Sequence, residues 1–418
     1  MNSVTPSTIR GTLPAPPSKS MTVRVMAAAL LARGASRIRN VSSCDDGLAA
    51  MDIVADLGAA LIREEKDMLV RSPGIRAING HEAKIDCRES GLSMRMFAPI
   101  AALLPEETTL VASGSLLTRP MDMIGALEQL GVSCRVDHGH APVAVRGPMK
   151  GGRISIDALL SSQFLTGLLM ALPVCQRSST VLVSGLKSAP YVRMTIELLR
   201  HFGVIVDHDN ALTEFVIEGD QSYRPGVYTV EGDWSGAAFL LVAGATAGKV
   251  TVTGLNLLSF QADRAILGAL VAAGARLTIG EDRVSVERQD LKPFTFDATD
   301  SPDLIPPLAT LASHCPGTSV IYGAERLVHK ESDRARALCL EFGRLGVLVE
   351  TSGNRMEVHG GAVQAGAVDA HNDHRIAMAC ATAALRARGE VLIAGSECVA
   401  KSYPGFFSDL ERLREHHE

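Results

Sequence analysis

The sequence predicts an α/β protein of two domains, built from six repeats of about 70 residues that each have the order βαβαββ. The chain has 418 residues, which is too long for a single hydrophobic core and favours two domains. Aromatic residues make up only 4% of it, so small aliphatic residues must build the core, which suits repeated α/β layers. Two features also recur along the chain at a nearly constant interval, and together they define the repeat.

The first recurring feature is an amphipathic helix, a glycine and then a short β-branched strand, as in "MDIVADLGAALI" and "EFGRLGVLVE". A glycine at that position is typical of a helix C-cap, which requires a positive φ. The glycines lie 71 to 73 residues apart, at Gly58, Gly131, Gly203, Gly274 and Gly346. Strand patterns such as "STVLVSG" and "KVTVTG" lie between the helices and complete the repeat.

The second recurring feature is a more apolar helix that begins with small polar or charged residues. Those starts lie 70 to 72 residues apart, at Ser20, Ser90, Ser161, Asp233, Asp303 and Asp373. N-capping alone explains any one of them. Helix N-termini also carry partial positive charge and unpaired N–H groups, so similarly arranged starts can together form an anion site.

Composition excludes several classes of protein. The net charge of −5 gives no basic face for nucleic acid. The longest apolar runs, such as residues 25–32, are too short to cross a bilayer. The first residues show no signal or transit pattern, so we expect a cytoplasmic protein. The eight cysteines are far apart with no C-x-x-C pair, which favours reduced thiols over a zinc site or disulfides.

Seven motifs then indicate a family. They are "LPAPPSKSMTVR", "SSQFLTGLLMALP", "VEGDWSGAAFLLVAGA", "DSPDLIPPLATLA", "KESDR", "HNDHRIAM" and "KSYPGFF". In this order they resemble the 5-enolpyruvylshikimate-3-phosphate synthases, a family of enolpyruvyl transferases, and the resemblance covers nearly the whole chain. It implies an inverse α/β barrel of two domains with three repeats each. Residues 18–231 would form one domain, and residues 1–17 with 232–418 the other.

The resemblance also implies a reaction. The 5-hydroxyl of shikimate 3-phosphate attacks C2 of phosphoenolpyruvate, the methylene carbon is protonated, and phosphate leaves the tetrahedral intermediate. The reaction belongs to the shikimate pathway to chorismate and aromatic amino acids, and the family is the target of glyphosate. We expect no metal and no organic cofactor, no nucleic-acid or membrane partner, and a monomer that acts on small-molecule substrates.

A net-negative protein needs a local group of cations to hold these phosphates and carboxylates. Eight are candidates, six of them within the seven motifs and two, Arg95 and Arg119, outside them: Lys19, Arg24, Arg95, Arg119, Lys330, Arg334, Arg375 and Lys401. For Arg95 a supporting role and a simple salt bridge on its helix are equally open.

The resemblance assigns roles to individual residues. Those expected to act on protons are Lys19, Asp303 and Glu331. Those expected to bind shikimate 3-phosphate, mainly in the 18–231 domain, are Lys19, Ser20, Arg24, Ser161, Ser162, Gln163, Ser188, Tyr191, Asp303 and Lys330. Those expected to bind phosphoenolpyruvate are Lys19, Gly91, Arg119, Gln163, Arg334, Arg375 and Lys401. The second domain would carry Asp303, Glu331, Arg334, Arg375 and Lys401.

One loop departs from the family pattern. Arg88-Glu89-Ser90-Gly91 stands where many members have an Asn-Ala-Gly-Thr-like run. Glu89 either changes the charge of the phosphoenolpyruvate pocket or pairs with Arg88. Gly91 remains, and the absence of a side chain there would let the substrate phosphate approach the backbone.

Three other functions are open at this point. The enolpyruvyl transferase that acts on UDP-N-acetylglucosamine normally carries a reactive cysteine near Arg119, and "ASGSLLTRPMDM" has none. A non-catalytic anion-binding scaffold is disfavoured because Lys19, Asp303 and Glu331 are all present. RNA 3′-phosphate cyclase uses related repeats but prefers a more basic surface.

Overall fold

The computed structural model describes residues 1–77, 83–159 and 161–414. The chain divides into two compact units. We call Pro17–Val230 the continuous unit, and Met1–Pro16 with Glu231–Glu418 the discontinuous unit. The predicted domain, residues 18–231, begins and ends one residue later than the continuous unit.

The strands alternate with helices along the chain, as the repeat predicts. The discontinuous unit begins with β1 (Asn2–Val4) and β2 (Ile9–Pro14). The continuous unit has β3 (Gly34–Arg39), β4 (Ala60–Glu64), β5 (Asp67–Ser72), β6 (Ala83–Asp86), β7 (Glu107–Val111), β8 (Ser133–Asp137), β9 (His140–Arg146), β10 (Arg153–Asp157), β11 (Ser179–Ser184), β12 (Asp207–His208), β13 (Glu214–Ile217) and β14 (Val227–Thr229). The discontinuous unit continues with β15 (Gly248–Thr253), β16 (Arg276–Ile279), β17 (Arg283–Glu287), β18 (Thr295–Asp297), β19 (Gly317–Tyr322), β20 (Leu348–Ser352), β21 (Arg355–Gly360), β22 (Gly366–Asp369) and β23 (Val391–Ala394).

Eleven α-helices are described within these ranges. They are α1 (Lys19–Leu31), α2 (Asp45–Asp56), α3 (Gly91–Ala101), α4 (Gln163–Ala171) and α5 (Ala189–His201) in the continuous unit, and α6 (Trp234–Ala247), α7 (Ile266–Ala272), α8 (Ile305–Ser313), α9 (Arg334–Arg344), α10 (His374–Ala384) and α11 (Phe406–Arg412) in the discontinuous unit.

The described strands form six open sheets, three in each unit. Five have four strands in one order: a parallel pair, followed by two antiparallel neighbours. The sheet β18-β19-β21-β20 is an example, with β18 parallel to β19 and β21 antiparallel to both β19 and β20. This is the pattern that a βαβαββ repeat produces, because a helix joins the parallel strands and a tight turn joins the last two.

The chain closes each unit with a strand distant in sequence. In the continuous unit, β14 pairs in parallel with β3, so the last strand completes the first repeat. In the discontinuous unit, β2 pairs with β15, and β1 pairs antiparallel with β23 to complete a three-stranded sheet. The sixth repeat therefore takes its last strand from the beginning of the chain.

Each unit has three helices that are apolar on nearly every side. α1, α3 and α4 lie in the core of the continuous unit, and α6, α8 and α10 in that of the discontinuous unit. A helix with no polar face must be buried. Close packing depends on small residues: a Cβ atom at Gly167 of α4 would lie 2.6 Å from the carbonyl oxygen of Met96 in α3.

The five periodic glycines confirm the predicted helix ends. Their φ angles lie between 75° and 93°, a range that residues with a Cβ rarely adopt. One predicted helix differs in type, because residues Asp122–Leu130 before Gly131 form a 3₁₀ helix instead of an α-helix.

The polar helix starts also fall close to where the spacing puts them. Ser90, Asp233 and Asp373 are N-caps, each accepting a hydrogen bond from a backbone N–H of the first turn. For α1 and α4 the N-caps are Ser18 and Ser162. Asp303 lies in a short 3₁₀ helix, Pro302–Leu304, that leads directly into α8. The polar residues therefore lie at the N-termini of the buried helices.

Candidate functional site

Lys19, the first residue of α1, pairs with a carboxylate. Its Nζ lies 2.8 Å from Oδ2 of Asp46, and the two side chains are only 14% and 12% exposed. Asp46 belongs to the first turn of α2, whose N–H groups favour an anion there. The pair holds the ammonium at the start of α1.

Arg24 lies one turn further into α1 and is only 2% exposed. Its Nε donates to Thr195 Oγ1 (3.0 Å), its Nη1 to the Ser20 carbonyl (2.8 Å) and its Nη2 to Thr166 Oγ1 (3.5 Å). The ring of Tyr191 lies 5.9 Å from its guanidinium carbon. We call these five residues the Arg24 site.

Every partner of Arg24 is neutral, and no carboxylate within residues 1–77, 83–159 and 161–414 forms an ion pair with it. Burial lowers the pKa of the guanidinium to about 10, although Tyr191 opposes the shift. A buried charge without a counterion is unfavourable, and an anionic ligand relieves the cost. The Arg24 site can therefore bind an anion.

The start of α4 connects to Arg95. Gln163 receives a hydrogen bond at Oε1 from Arg95 Nη1 (2.8 Å), and its backbone N–H donates to Ser161 Oγ (3.2 Å). Arg95 also donates to the Pro120 carbonyl (3.0 Å). Arg95 therefore supports Gln163, which agrees with a supporting role.

Ser188 begins α5 in the left-handed conformation, with φ of 58°, and is 5% exposed. Its carbonyl accepts a hydrogen bond from the backbone N–H of Tyr191. This turn places Tyr191 on the face of α5 that meets Arg24.

Gly91 leaves room for two arginines. A Cβ atom there would lie 2.8 Å from Arg119 Nη1 and 3.2 Å from Arg95 Nη1. Arg119 ends the 3₁₀ helix Gly114–Thr118 and is 7% exposed. The start of α3 and the guanidinium of Arg119 are therefore in close contact.

Glu89 does not pair with Arg88, contrary to one of the two predicted alternatives. Its Oε2 accepts hydrogen bonds from the backbone N–H and the Oγ of Ser115, both 2.8 Å. Arg88 instead pairs with Asp52 at 2.5 Å. Glu89 thus anchors the 3₁₀ helix that ends at Arg119, because a carboxylate bonds well to N–H groups at a helix start.

Six charged residues gather at the buried helix starts of the discontinuous unit. We call them the Asp303 cluster: Asp303, Lys330, Glu331, Arg334, Asp373 and Arg375. Asp303 accepts from Lys330 Nζ (3.5 Å), Arg334 Nη1 (2.9 Å) and Arg375 Nη2 (3.0 Å). Its side chain is 26% exposed.

Arg334 is fully buried and meets three carboxylates. It donates to Asp373 from Nε (2.9 Å), to Asp303 from Nη1 (2.9 Å) and to Glu331 from Nη2 (2.5 Å). Asp373 in turn caps α10 and accepts from Ser332 Oγ. Lys401, 7% exposed, donates to the Asn372 carbonyl just before this cap (2.7 Å).

These contacts shift the pKa values in opposite directions. Burial acts to raise the pKa of Asp303, but Arg375, Lys330 and Arg334 outweigh it and hold the pKa well below its usual value. Burial likewise acts against Arg334, yet Asp373, Glu331 and Asp303 raise the pKa of its guanidinium overall. Burial lowers the pKa of Lys330 despite the attraction of Asp303. The cluster is therefore an ionised, mutually neutralised network.

A group suited to a metal lies outside these helix starts. Glu350, Glu357 and His359 on β20 and β21 have ligand atoms within 4.8 Å of one another. Arg355 pairs with Glu357, and His359 bonds to Glu350 and Thr318. Protein groups already satisfy this partly exposed set.

No helix within residues 1–77, 83–159 and 161–414 is long and apolar enough to span a bilayer.

Sequence reasoning missed four polar residues that contact the predicted ones or interact with them electrostatically. Asp46 holds Lys19, Thr166 and Thr195 hold Arg24, and Asp263 lies beside Asp303 and Arg375. Asp46 had a detectable pattern, since adjacent acidic residues shortly before an amphipathic segment are typical of the first turn of a helix. The threonines had none, because each is buried within its helix and bonds to a carbonyl four residues earlier.

Comparisons with known proteins agree with the predicted family. Residues 4–410 match the family described as EPSP synthase (3-phosphoshikimate 1-carboxyvinyltransferase). A 3-phosphoshikimate 1-carboxyvinyltransferase of Clostridium perfringens is 35% identical over 414 residues, 98% of this chain and 97% of that protein. One of Thermococcus kodakarensis is 41% identical over 411 residues, 97% and 98% of the two chains.

Solved structures agree with the predicted fold. An EPSP synthase of Acinetobacter baumannii is similar with a TM-score of 0.84 at 23% identity, over 99% of this chain and 98% of that one. The enolpyruvyl transferase NikO of Streptomyces tendae gives 0.77 at 20% identity, over 98% and 96%. Identities this low establish the fold alone, and the predicted α/β fold class is confirmed.

Proposed function

The chain belongs to the EPSP synthase family and is a carboxyvinyltransferase, and from that premise we propose how its residues bind the substrates and move protons. The reaction transfers the enolpyruvyl group of phosphoenolpyruvate to the 5-hydroxyl of shikimate 3-phosphate and releases phosphate. It is a step of the shikimate pathway.

The Arg24 site carries the proposal. A guanidinium that is 2% exposed and has only neutral partners is suited to the carboxylate of shikimate 3-phosphate. Ser20 lies beside Arg24, and Tyr191 packs near the substrate ring. Ser161, Ser162, Gln163 and Ser188 stand at the starts of α4 and α5, where hydroxyl and N–H donors suit the 3-phosphate.

Phosphoenolpyruvate is assigned to the remaining cations. Arg119 beside Gly91 binds its phosphate, helped by Gln163, and Lys19 contacts both substrates. Arg334, Arg375 and Lys401 bind its carboxylate side. Because Arg334 already meets three carboxylates, substrate must exchange with some of those contacts, and Arg375 is the more accessible donor.

Asp303 is assigned to the 5-hydroxyl of shikimate 3-phosphate as the base, and Lys330 is assigned to the carboxylate of the same substrate. A base works best when its pKa is near the working pH, and the pKa of Asp303 lies well below that. Anionic substrate that draws Lys330 and Arg375 toward itself raises the pKa of Asp303 and makes it a better acceptor. Lys19 and Glu331 then deliver and remove the C3 proton.

Three finer features belong to the proposal. We propose that the protein is monomeric, acts in the cytoplasm and is inhibited by glyphosate, which competes for the phosphoenolpyruvate contacts. A sedimentation run, fractionation of the source cells and a glyphosate titration test these separately.

The activity has a direct test. The purified protein is mixed with phosphoenolpyruvate and either shikimate 3-phosphate or UDP-N-acetylglucosamine, and phosphate release is followed. Release with shikimate 3-phosphate alone is expected. Release with the sugar nucleotide alone would overturn the acceptor, and release with neither would favour the anion-binding scaffold.

A further inference from the structure

Asp263 is a buried carboxyl beside the Asp303 cluster. It lies in the 3₁₀ helix Ala262–Ala265, which packs against α6, and is fully shielded from solvent. Its Oδ2 accepts a hydrogen bond from the Ser235 hydroxyl in the first turn of α6. Within the described residues, no group donates a hydrogen bond to its buried Oδ1.

The groups around Asp263 come from three buried helix starts. Asp233 caps α6, Asp303 precedes α8, and Arg375 lies in the first turn of α10. Two of these neighbours are carboxylates and one is a guanidinium. Arg375 is in direct contact with Asp303, so its charge is largely matched before Asp263 is counted. A second carboxylate here would be buried, poorly hydrogen-bonded and repelled by the first.

We propose that Asp263 is a positioning residue that stays protonated beside Asp303 and Arg375 while phosphoenolpyruvate binds, and that its ionisation weakens that binding. A neutral Asp263 leaves Arg375 with one carboxylate to satisfy, so the guanidinium can also hold a substrate anion. An ionised Asp263 adds a negative charge close to where the anion must bind, and repels it.

The surroundings set the pH at which this change occurs. Burial, followed by the charge of Asp303, raises the pKa of the Asp263 carboxyl to about 7, against the opposing effects of Arg375 and Ser235. The carboxyl is therefore mostly protonated at pH 6 and mostly ionised at pH 8.5. Because the inference rests on the proposed role of Arg375, its test combines the KM with a second readout that does not depend on catalysis.

The central variant is Asp263→Asn, which keeps the shape of the side chain and removes the ionisation. The KM for phosphoenolpyruvate is measured from pH 5.5 to 9 in both proteins. As pH rises, we expect the wild-type KM to increase about tenfold relative to that of the variant. The midpoint of this increase should lie near the pKa of Asp263, which burial raises to about 7. Ionisation of phosphoenolpyruvate itself is common to both proteins and cancels in the ratio.

Thermal unfolding over the same pH range is the second readout. The folded pKa of Asp263 is above the unfolded one, so this carboxyl destabilises the fold increasingly between about pH 4 and pH 7. Asp263→Asn should therefore gain melting temperature over wild type across that window and keep a constant difference above it. Loss of a merely structural hydrogen bond would lower the melting temperature equally at every pH.

Two further variants sharpen the result. Ser235→Ala removes the hydroxyl that favours the ionised form, so the midpoint in KM should move to higher pH. Asp409→Asn removes a partly buried carboxyl that bonds to Tyr403 and Arg412, and should follow the wild-type pH profile. If Asp263→Asn does not fold, the Ser235→Ala shift still decides the matter.

The outcomes separate this inference from the reaction. If the protein releases no phosphate at any pH tested, the proposed function is wrong. If phosphate is released normally but the KM of wild type and of Asp263→Asn changes with pH in the same way, only the role of Asp263 is wrong. The same conclusion follows if Asp263→Asn changes the melting temperature but not the KM.

Discussion

Arg24 and Arg334 are both buried guanidinium groups, and they differ in what surrounds them. Arg24, 2% exposed, bonds to two hydroxyls and a carbonyl. Arg334, fully buried, bonds to three carboxylates. Among the residues that the structure describes, Arg24 therefore has no protein counterion, whereas three carboxylates neutralise Arg334.

This difference distinguishes a cation that is suited to bind a ligand from a cation that holds other side chains in place. A cation paired with carboxylates holds them in place, and removal of that cation leaves several buried negative charges without a counterion. A cation with neutral partners already bears a desolvation cost, and only a ligand relieves it. The pKa shifts agree, since burial lowers the pKa of Arg24 while the carboxylates raise that of Arg334 overall.

Lys19 pairs with Asp46 and should show the largest effect on catalysis. Because it is assigned to both substrates and to proton transfer, Lys19→Met should lower kcat/KM by about 10²–10⁴. Steady-state kinetics measures the loss, and circular dichroism should be unchanged. Lys249→Met, at an exposed pair with Glu287, is the control. Turnover near wild type in Lys19→Met would remove Lys19 from the mechanism.

Arg334→Met should show the largest effect on stability. The change strands Asp303, Glu331 and Asp373, so we expect the free energy of unfolding to fall by about 3–5 kcal/mol. Urea denaturation measures it, with Arg200→Met, at an exposed helix pair, as the control. A loss no greater than in the control would contradict the organising role.

The loss of stability in Arg334→Met should depend on pH. The folded pKa values of Asp303 and Asp373 are below the unfolded ones, so their stabilising contribution is present above about pH 4 and is lost as pH falls through the folded values. The gap in unfolding free energy between wild type and Arg334→Met should therefore narrow in acid. A gap that widens below pH 4 would contradict the ionised network.

Gly91→Ala tests the contact between α3 and Arg119. The added methyl would meet two guanidinium nitrogens, and overpacking of this kind costs about 1–3 kcal/mol. We expect the KM for phosphoenolpyruvate to rise about tenfold, and the affinity for shikimate 3-phosphate to change little. Gly226→Ala, which has open space for a Cβ, is the control. A change confined to shikimate 3-phosphate would exclude Arg119 from the assigned role.

Glu89→Gln should have the smallest effect. The amide oxygen can still accept from Ser115 but lacks the charge, so the anchor of the Arg119 loop weakens by about 1 kcal/mol. We expect a severalfold rise in the KM for phosphoenolpyruvate with kcat retained. If instead Glu89 mainly repels the substrate, the KM should fall, and that result would reverse our interpretation.

Periodic features of the sequence predicted much of the fold. The glycines and the polar helix starts repeat because each unit stacks similar pieces, and both lie where the spacing puts them. Spacing could not predict that residues 122–130 form a 3₁₀ helix, because the interval between repeats locates a helix without specifying its type.

The residues of the candidate site were less predictable than their motifs. Motif order identified Arg24 and Arg334, but not that one would be without carboxylates and the other surrounded by them. That contrast depends on long-range contacts, such as those of Arg24 with Thr166 and Thr195. The Asp263 carboxyl carries no motif at all, and only burial distinguishes it from a surface aspartate.

The most direct test of this account is Arg24→Met, with shikimate 3-phosphate binding and ligand-free stability both measured. Calorimetry should show an affinity about 100-fold lower, since a charge-assisted contact to a carboxylate is lost. Ligand-free unfolding free energy should be unchanged or higher, because a buried charge is replaced by an apolar side chain. Unchanged affinity, or a ligand-free loss as large as that of Arg334→Met, would contradict the claim that the counterion of Arg24 is the substrate.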